Sequence, residues 1–230
     1  MRFSEGLRLR TIYGIFKILQ NFGNYTAIKA LGLYAHWQYQ DVESAIEFLL
    51  SLLRLYSEHT EQHSRRVAEI LTSFAEYQNW KEMEVLKLAG LSHDIGKIAM
   101  IGLANKNGEL TERERDEMKK HVAYGVVLLR CLASLNEDLI GKLIEIVGDH
   151  HEYFDGSGYP NCKSGKNISE YARALTIVDH YAALTEKRAY RGALDLESAI
   201  EEMNTHSETS RRFDPKILEQ FLNYKRAGNK

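Results

Sequence analysis

Residues 136–160 read NEDLIGKLIEIVGDHHEYFDGSGYP. Leu139, Ile140, Leu143, Ile144 and Val147 recur at helical spacing, and His150 and His151 close the run. The following YFDGSGYPNCKSGKN is a loop by composition, with Pro160 within it. The chain has only two prolines, Pro160 and Pro215, and both stand at abrupt changes of pattern. Helix breakers are otherwise scarce and alternating β-branched runs are few, so the expected class is all-α.

Working outward, the same periodicity predicts helices over about 42–56, 61–77, 81–93, 111–130, 136–151, 169–185, 195–205 and 215–224. Thr111 with Glu114 reads as a capping box, and Asp214-Pro215 as an N-cap followed by a first-turn proline. Residues 1–44 stand apart as a basic helical extension, with the main domain over 45–230. Residues 1–40 hold five basic and one acidic side chain, a charge of +4, which leaves -6 for the remainder. Leu9, Ile12, Ile15, Phe16 and Leu19 follow helical spacing there, with Arg8, Arg10 and Lys17 interleaved. Packing on the main domain or a homodimer contact is the favoured role. Peripheral contact of residues 1–40 with an anionic membrane is the alternative.

The 230 residues suit one large domain with a short appendage. Hydrophobic residues make up 44% and charged residues 27%, which excludes a disordered chain. Thirty basic against 32 acidic side chains argue against a binder of nucleic-acid polymers. Cys131 and Cys162 are too few for a disulfide framework, so a cytoplasmic, reducing setting is expected. No long apolar run suggests a spanning helix, and the start fits a secretory signal poorly.

Histidine carries the chemistry. His63 and His121 fall on apolar faces of two expected helices, and His93 ends a third beside Asp94. His150 and His151 close a fourth, and Asp179 lies within a fifth. One such histidine is ordinarily a satisfied core residue. Five, with two carboxylates converging on one interior, are costly to bury without compensation, and a cluster of divalent metals supplies it. Imidazole and carboxylate without thiolate favour Fe or Mn, with Zn as an alternative. Asp94 has two oxygens with which to bridge two ions. Paired ions clamp the attacking and leaving oxygens of a phosphoester displacement and lower the pKa of a bound water, so that hydroxide exists near neutral pH. They would also attract an anionic substrate that the protein's net charge does not.

These residues carry a family resemblance. His93-Asp94-Ile95-Gly96-Lys97 resembles the HDIGK signature of the HD phosphohydrolase superfamily. His150-His151-Glu152, followed by Asp155-Gly156-Ser157-Gly158-Tyr159-Pro160, resembles the HHExxDGxGYP signature of its HD-GYP subfamily. The likeness takes in His63-Ser64-Arg65-Arg66-Val67, the segment from Lys106 to Thr111, His121 with Gly125, Asp179, and Arg188-Ala189-Tyr190-Arg191. It implies an HD-domain helical bundle and a bacterial phosphodiesterase that opens cyclic di-GMP (c-di-GMP) to linear pGpG, and in some members onward to GMP. The implied metal ligands are His63, His93, Asp94, His121, His150, His151 and Asp179. Asp94 and Lys97 are the implied catalytic residues, with Lys97 contacting the scissile phosphate and assisting the leaving group. Lys97, Tyr159, Arg188 and Arg191 are the implied substrate contacts, guanidinium forks being suited to phosphate oxygens. The glycines are expected to supply unusual backbone angles in the GYP loop, which in the family is also associated with contacts to GGDEF-domain proteins.

Four departures from the family pattern matter, one being Arg188-Ala189-Tyr190 in place of the usual Arg-Pro-Tyr. His59 stands one helical turn before His63, where three-metal members carry Glu, so it is a candidate ligand for a third ion beside an expected pair. Ser57 stands where relatives often place an acid near the substrate. Ala182-Ala183-Leu184 replaces the usual Asp-Ala-Leu, removing an acid from the neighbourhood of Asp179. Two rival functions follow: a phosphodiesterase preferring 3',3'-cGAMP, and a silent module that binds cyclic dinucleotide or a GGDEF partner without turnover.

Overall fold

The computed structural model describes residues 12, 16–17, 20, 24–106, 108–187 and 192–228, with the side chains of all but 25 and 206–210. Among these residues the regular structure is entirely helical. The helices are α1 (Asn24–Gln38), α2 (Val42–Tyr56), α3 (Glu58–Tyr77), α4 (Met83–Ser92), α5 (Ile101–Ala104), α6 (Glu112–Lys119), α7 (His121–Cys131), α8 (Glu137–Asp149), α9 (Glu170–Thr185), α10 (Leu196–Ser210) and α11 (Pro215–Ala227). Short 3-10 turns span Ile95–Met100, Ala133–Leu135 and Gly165–Asn167.

The capping residues act as the sequence suggests. The Asp41 side chain accepts from the Ser44 N–H at the start of α2. Thr111 and Glu114 form a reciprocal capping box. Asp214 accepts from the N–H groups of Lys216 and Ile217, with Pro215 in the first turn. In α8 the buried stripe is Leu139, Ile140, Leu143, Ile146 and Val147, so Ile146 takes the fully buried place expected of Ile144. The core is continuous. Phe74 of α3 packs edge-on against Phe221 of α11, 5.3 Å between ring centres, and against Trp80 at 5.5 Å.

Two boundaries differ from expectation. The helix expected over 111–130 is broken at Lys120 into α6 and α7. The cause is polarity: ERERDEMK buries no residue, whereas α7 buries His121, Val122, Gly125, Leu128 and Leu129. The break lets α6 stay in water while α7 turns into the core. α3 begins at Glu58, which puts His59 on the same helix as His63, one turn away.

Of the basic extension, residues 24–38 form α1, and Ala27, Ile28, Leu31 and Ala35 join the main core. α1 lies across α7. A β-carbon on Gly32 would stand 2.8 Å from the Cys131 Cβ, so the two helices meet at glycine. Leu9, Ile15, Leu19, Arg8 and Arg10 lie outside the described residues. No helix among the described residues is long and apolar enough to cross a membrane.

Candidate metal centre

The centre forms where helices end. The last four carbonyls of an α-helix lack partners within it. Gly90 is in the last turn of α4, Met118 in that of α6, and Val147 in that of α8. His93, His121 and His150 each follow one of these helix ends. Each gives an Nδ1–H to the carbonyl three residues before it: His93 to Gly90 at 2.8 Å, His121 to Met118 at 2.7 Å and His150 to Val147 at 2.7 Å. These bonds engage carbonyls at three helix ends and fix three tautomers. With the proton on Nδ1, each Nε2 presents a lone pair to the interior. Three helix C-termini also bring partial negative charge, which favours a cation there.

The donor atoms fall into two groups. His63, His93 and Asp94 offer atoms within 4.8 Å of one another, and so do His121, His150 and His151. Asp94 lies between them: its Oδ2 is 3.4 Å from His93 Nε2 and its Oδ1 3.4 Å from His121 Nε2. Asp179 Oδ1 is 2.8 Å from His63 Nε2 and 3.8 Å from His93 Nε2. His63, His93, Asp94, His121 and His150 are buried and form the floor, while Lys97, His151, Tyr159, Asp179 and Glu186 are partly exposed and form the rim. All seven expected ligands are therefore in one place. His59 is exposed and joins neither group.

This donor set fits divalent metal ions. The Nε2 atoms of His121 and His150 face each other at 3.4 Å with both protons elsewhere, so two lone pairs oppose one another. Bonds of about 2.1 Å from each nitrogen to a shared ion would turn that repulsion into ligation. His93 Nε2 and Asp94 Oδ1 are buried without a hydrogen-bond partner, a costly arrangement that an ion would relieve.

Electrostatics separates the two groups. Burial disfavours charge on His121, His150 and His151, and holds their pKa values at about 4, about 3 and well below the usual range. All three imidazoles are therefore neutral near pH 7. Burial also opposes charge on His63, but its hydrogen bonds to Asp179 and Glu186 prevail and raise its pKa to about 9. Burial would raise Asp94, yet the Lys97 ammonium and the neighbouring His93 hold it well below the usual carboxylate range. Asp179 is likewise held low against burial, chiefly by His63.

Lys97 reaches Asp94 Oδ2 at 2.5 Å from the first turns after α4. Tyr159 stacks on the His151 ring, 4.7 Å between centres, and the Lys119 ammonium lies 5.8 Å from the centre of the Tyr159 ring. The GYP loop is tied down by a residue whose part the sequence did not reveal. Glu152 is buried and accepts from the N–H groups of Asn161 (2.6 Å) and Lys163 (2.9 Å). Lys163 in turn clasps the buried Asp149 at 2.7 Å and 2.8 Å. Gly156 has φ +83°, as expected of a loop glycine. Gly158 corrects that expectation, since it is required for space rather than angle. A β-carbon there would stand 2.3 Å from the Tyr153 nitrogen and 2.4 Å from the His151 carbonyl oxygen.

Ser57 is buried and its hydroxyl shares a hydrogen bond with Thr60, 2.8 Å away, so it is engaged within its own turn. Ala182 is buried in α9. A further carboxylate enters the centre one turn later, from Glu186, which no motif marked. Arg188 and Arg191 lie outside the described residues.

A family model described as "HD domain" matches residues 47–217. The chain is 34% identical over 179 residues to a 3'3'-cGAMP-specific phosphodiesterase of Vibrio cholerae, covering 76% of this chain and 33% of that protein. It is 30% identical over 189 residues to a cyclic di-GMP phosphodiesterase of Thermotoga maritima, covering 80% and 50%. The chain thus spans a third to a half of the length of these curated relatives. The HD domain of the phosphodiesterase PgpH from L. monocytogenes shares the fold, with a TM-score of 0.59 at 14% identity, over 79% of this chain and 96% of that one. Helix-end histidines, a shared aspartate and a GYP loop closed by Glu152 are thus found in a chain that belongs to the HD domain family, in its HD-GYP form.

Proposed function

We propose that the chain is a divalent-metal-dependent phosphodiesterase that opens the ring of a cyclic dinucleotide, with c-di-GMP as substrate and linear pGpG as product. The observation that carries this reading is the pair of donor groups meeting at Asp94. In this reading His63, His93, Asp94 and Asp179 would hold one ion and His121, His150 and His151 the other, with Asp94 between the two groups. When bound, two ions of Fe or Mn would supply Lewis acidity toward a phosphodiester and a nucleophile at neutral pH. His59 is the candidate for a third.

The protein's own part is placement. Lys97, at the rim, holds an ammonium beside Asp94 where the leaving oxygen of a phosphodiester would develop charge. Tyr159 offers a flat face next to His151 for a base or ribose, and Arg188 and Arg191 are assigned to the phosphates. Residues 45–230 form the catalytic unit in this reading and residues 1–44 its helical extension, in a bacterial cytoplasm. The GYP loop is the surface for a GGDEF-domain partner, and the extension serves in packing on the main domain, as α1 does, or in homodimer contact, in preference to membrane contact.

A second reading, preference for 3',3'-cGAMP, draws on the 34% identical relative of that specificity and on the absence of an acid at Ser57. The test is incubation of anaerobically purified protein with c-di-GMP and 3',3'-cGAMP side by side, with Mn²⁺ or Fe²⁺ added or withheld, and chromatography of the products. Metal-dependent linear product supports the phosphodiesterase, and the faster substrate chooses between the readings. Tight binding without product under either metal would overturn both in favour of a silent signalling module.

A further inference from the structure

His63 differs from His93, His121 and His150 in where it sits. It occupies the interior of α3, where the carbonyls of the preceding turn already serve the helix, so no orphan carbonyl is at hand for its Nδ1. The acceptor comes from another element. Glu186, the residue at which α9 ends, brings Oε2 to 2.9 Å from His63 Nδ1. Its other oxygen lies 3.5 Å from the Arg66 guanidinium, which also donates to Thr185 Oγ1 at 2.7 Å. Arg66 thus ties down both the end of α9 and the carboxylate it carries. On the far side of the ring, His63 Nε2 faces Asp179 Oδ1 at 2.8 Å, inside the first donor group.

We propose that Glu186 is a positioning residue of the metal centre: held by Arg66, it orients His63 through Nδ1 and strengthens Nε2 as a ligand for the ion shared with His93, Asp94 and Asp179. This rests on the metal reading above. A carboxylate behind a ligating imidazole fixes the ring and raises its basicity. The three backbone carbonyls behind the other histidines fix their rings without bringing a formal charge. The consequence is specific to one half of the centre, because no contact of Glu186 reaches His121, His150 or His151.

The experiment is titration of the chelator-stripped full chain with Mn²⁺ alone, by calorimetry, for the wild type, Glu186→Gln and Glu186→Ala, with circular dichroism checking the helical fold. Wild type should bind two ions. Glu186→Ala should weaken one of them about ten- to a hundredfold and leave the other unchanged, as expected for loss of an outer-sphere partner. Glu186→Gln keeps the size and an acceptor but not the charge, and should weaken the same ion by a smaller factor. Wild-type affinity in Glu186→Gln would overturn the proposal, as would equal weakening of both ions. If Glu186→Ala fails to fold, Glu186→Gln decides alone. Failure of the wild type to bind any ion would instead sink the metal reading itself, so the two failures are distinct.

Discussion

His121 and His150 each place the Nδ1 proton on a carbonyl left over at a helix end, while His63 places it on a carboxylate brought in by α9. The two donor groups use the same imidazole chemistry but are supported differently. One is a set of three neutral rings, two of them held by backbone carbonyls and the third, His151, stacked on Tyr159. The other mixes imidazole with Asp94 and Asp179, and its His63 attracts a proton where the others repel one. Two ions bound side by side would therefore meet unlike environments. The group backed by Asp94, Asp179 and Glu186 should hold its ion more firmly, and the group of neutral imidazoles should leave its ion more acidic toward a ligand.

Removing the residue between the groups should have the largest effect. Asp94→Asn keeps the shape but deletes the charge that both halves face. Turnover of c-di-GMP should fall on the order of a thousandfold or more with the helical circular dichroism intact. Unaltered turnover would rule out the shared carboxylate.

Proton linkage offers a second way to separate the halves, read on metal-stripped protein by thermal unfolding. The ordinary histidine pKa is 6.5, and in the folded chain His121 and His150 stand at about 4 and about 3. Below pH 6.5 the unfolded chain binds more protons at these sites, so stability should fall as pH drops from 6.5 toward 4. For His63, at about 9, the folded chain binds more protons, so its contribution should be full below 6.5 and lost as pH rises through 9. A maximum near pH 6.5, with slopes amounting to roughly a few kcal/mol over each limb, is expected. His63→Asn should remove the alkaline limb and leave the acid one. A profile flat from pH 4 to 9 would contradict the assignment.

Lys97→Met tests the rim with every proposed ligand left in the chain, although it removes the ammonium bonded to Asp94. It should lower turnover about a hundredfold while both ions remain bound, as for loss of one group that stabilises developing charge. Loss of bound metal in parallel would recast Lys97 as a support for Asp94. The smallest effect is expected at Tyr159. Tyr159→Ala removes the face stacked on His151 and should raise KM by roughly fivefold with little change in kcat, in line with about 1 kcal/mol for one aromatic stack. A change confined to kcat would place Tyr159 in the chemistry.

Much of the centre could be read from the chain because its residues lie at helix ends and motifs mark those ends. His93-Asp94 and His150-His151 each straddle the end of a helix, and there neighbouring side chains can turn toward one interior. All-α class, the capping box at Thr111 and the proline-led α11 were likewise plain, being local effects. What stayed hidden depends on distance in sequence. Glu186 meets His63 across 123 positions, and nothing in its own surroundings announces that contact. Glu152 is visible as a letter of a motif, but not as the acceptor that closes the loop on Asn161 and Lys163. The break at Lys120 was written in the composition of ERERDEMK, which has no apolar stripe, yet the capping box upstream suggested one continuous helix. The docking of α1 on α7 follows from Gly32 and Cys131, a pairing that periodicity alone does not supply.

The most direct test is an anaerobic titration of metal-stripped chain with Mn²⁺, measuring ions bound and c-di-GMP hydrolysed in the same samples. Two ions of unequal affinity, with linear product appearing only as the weaker one fills, is the predicted result. Product formed in the absence of any divalent ion, or no ion bound at all, would contradict the account.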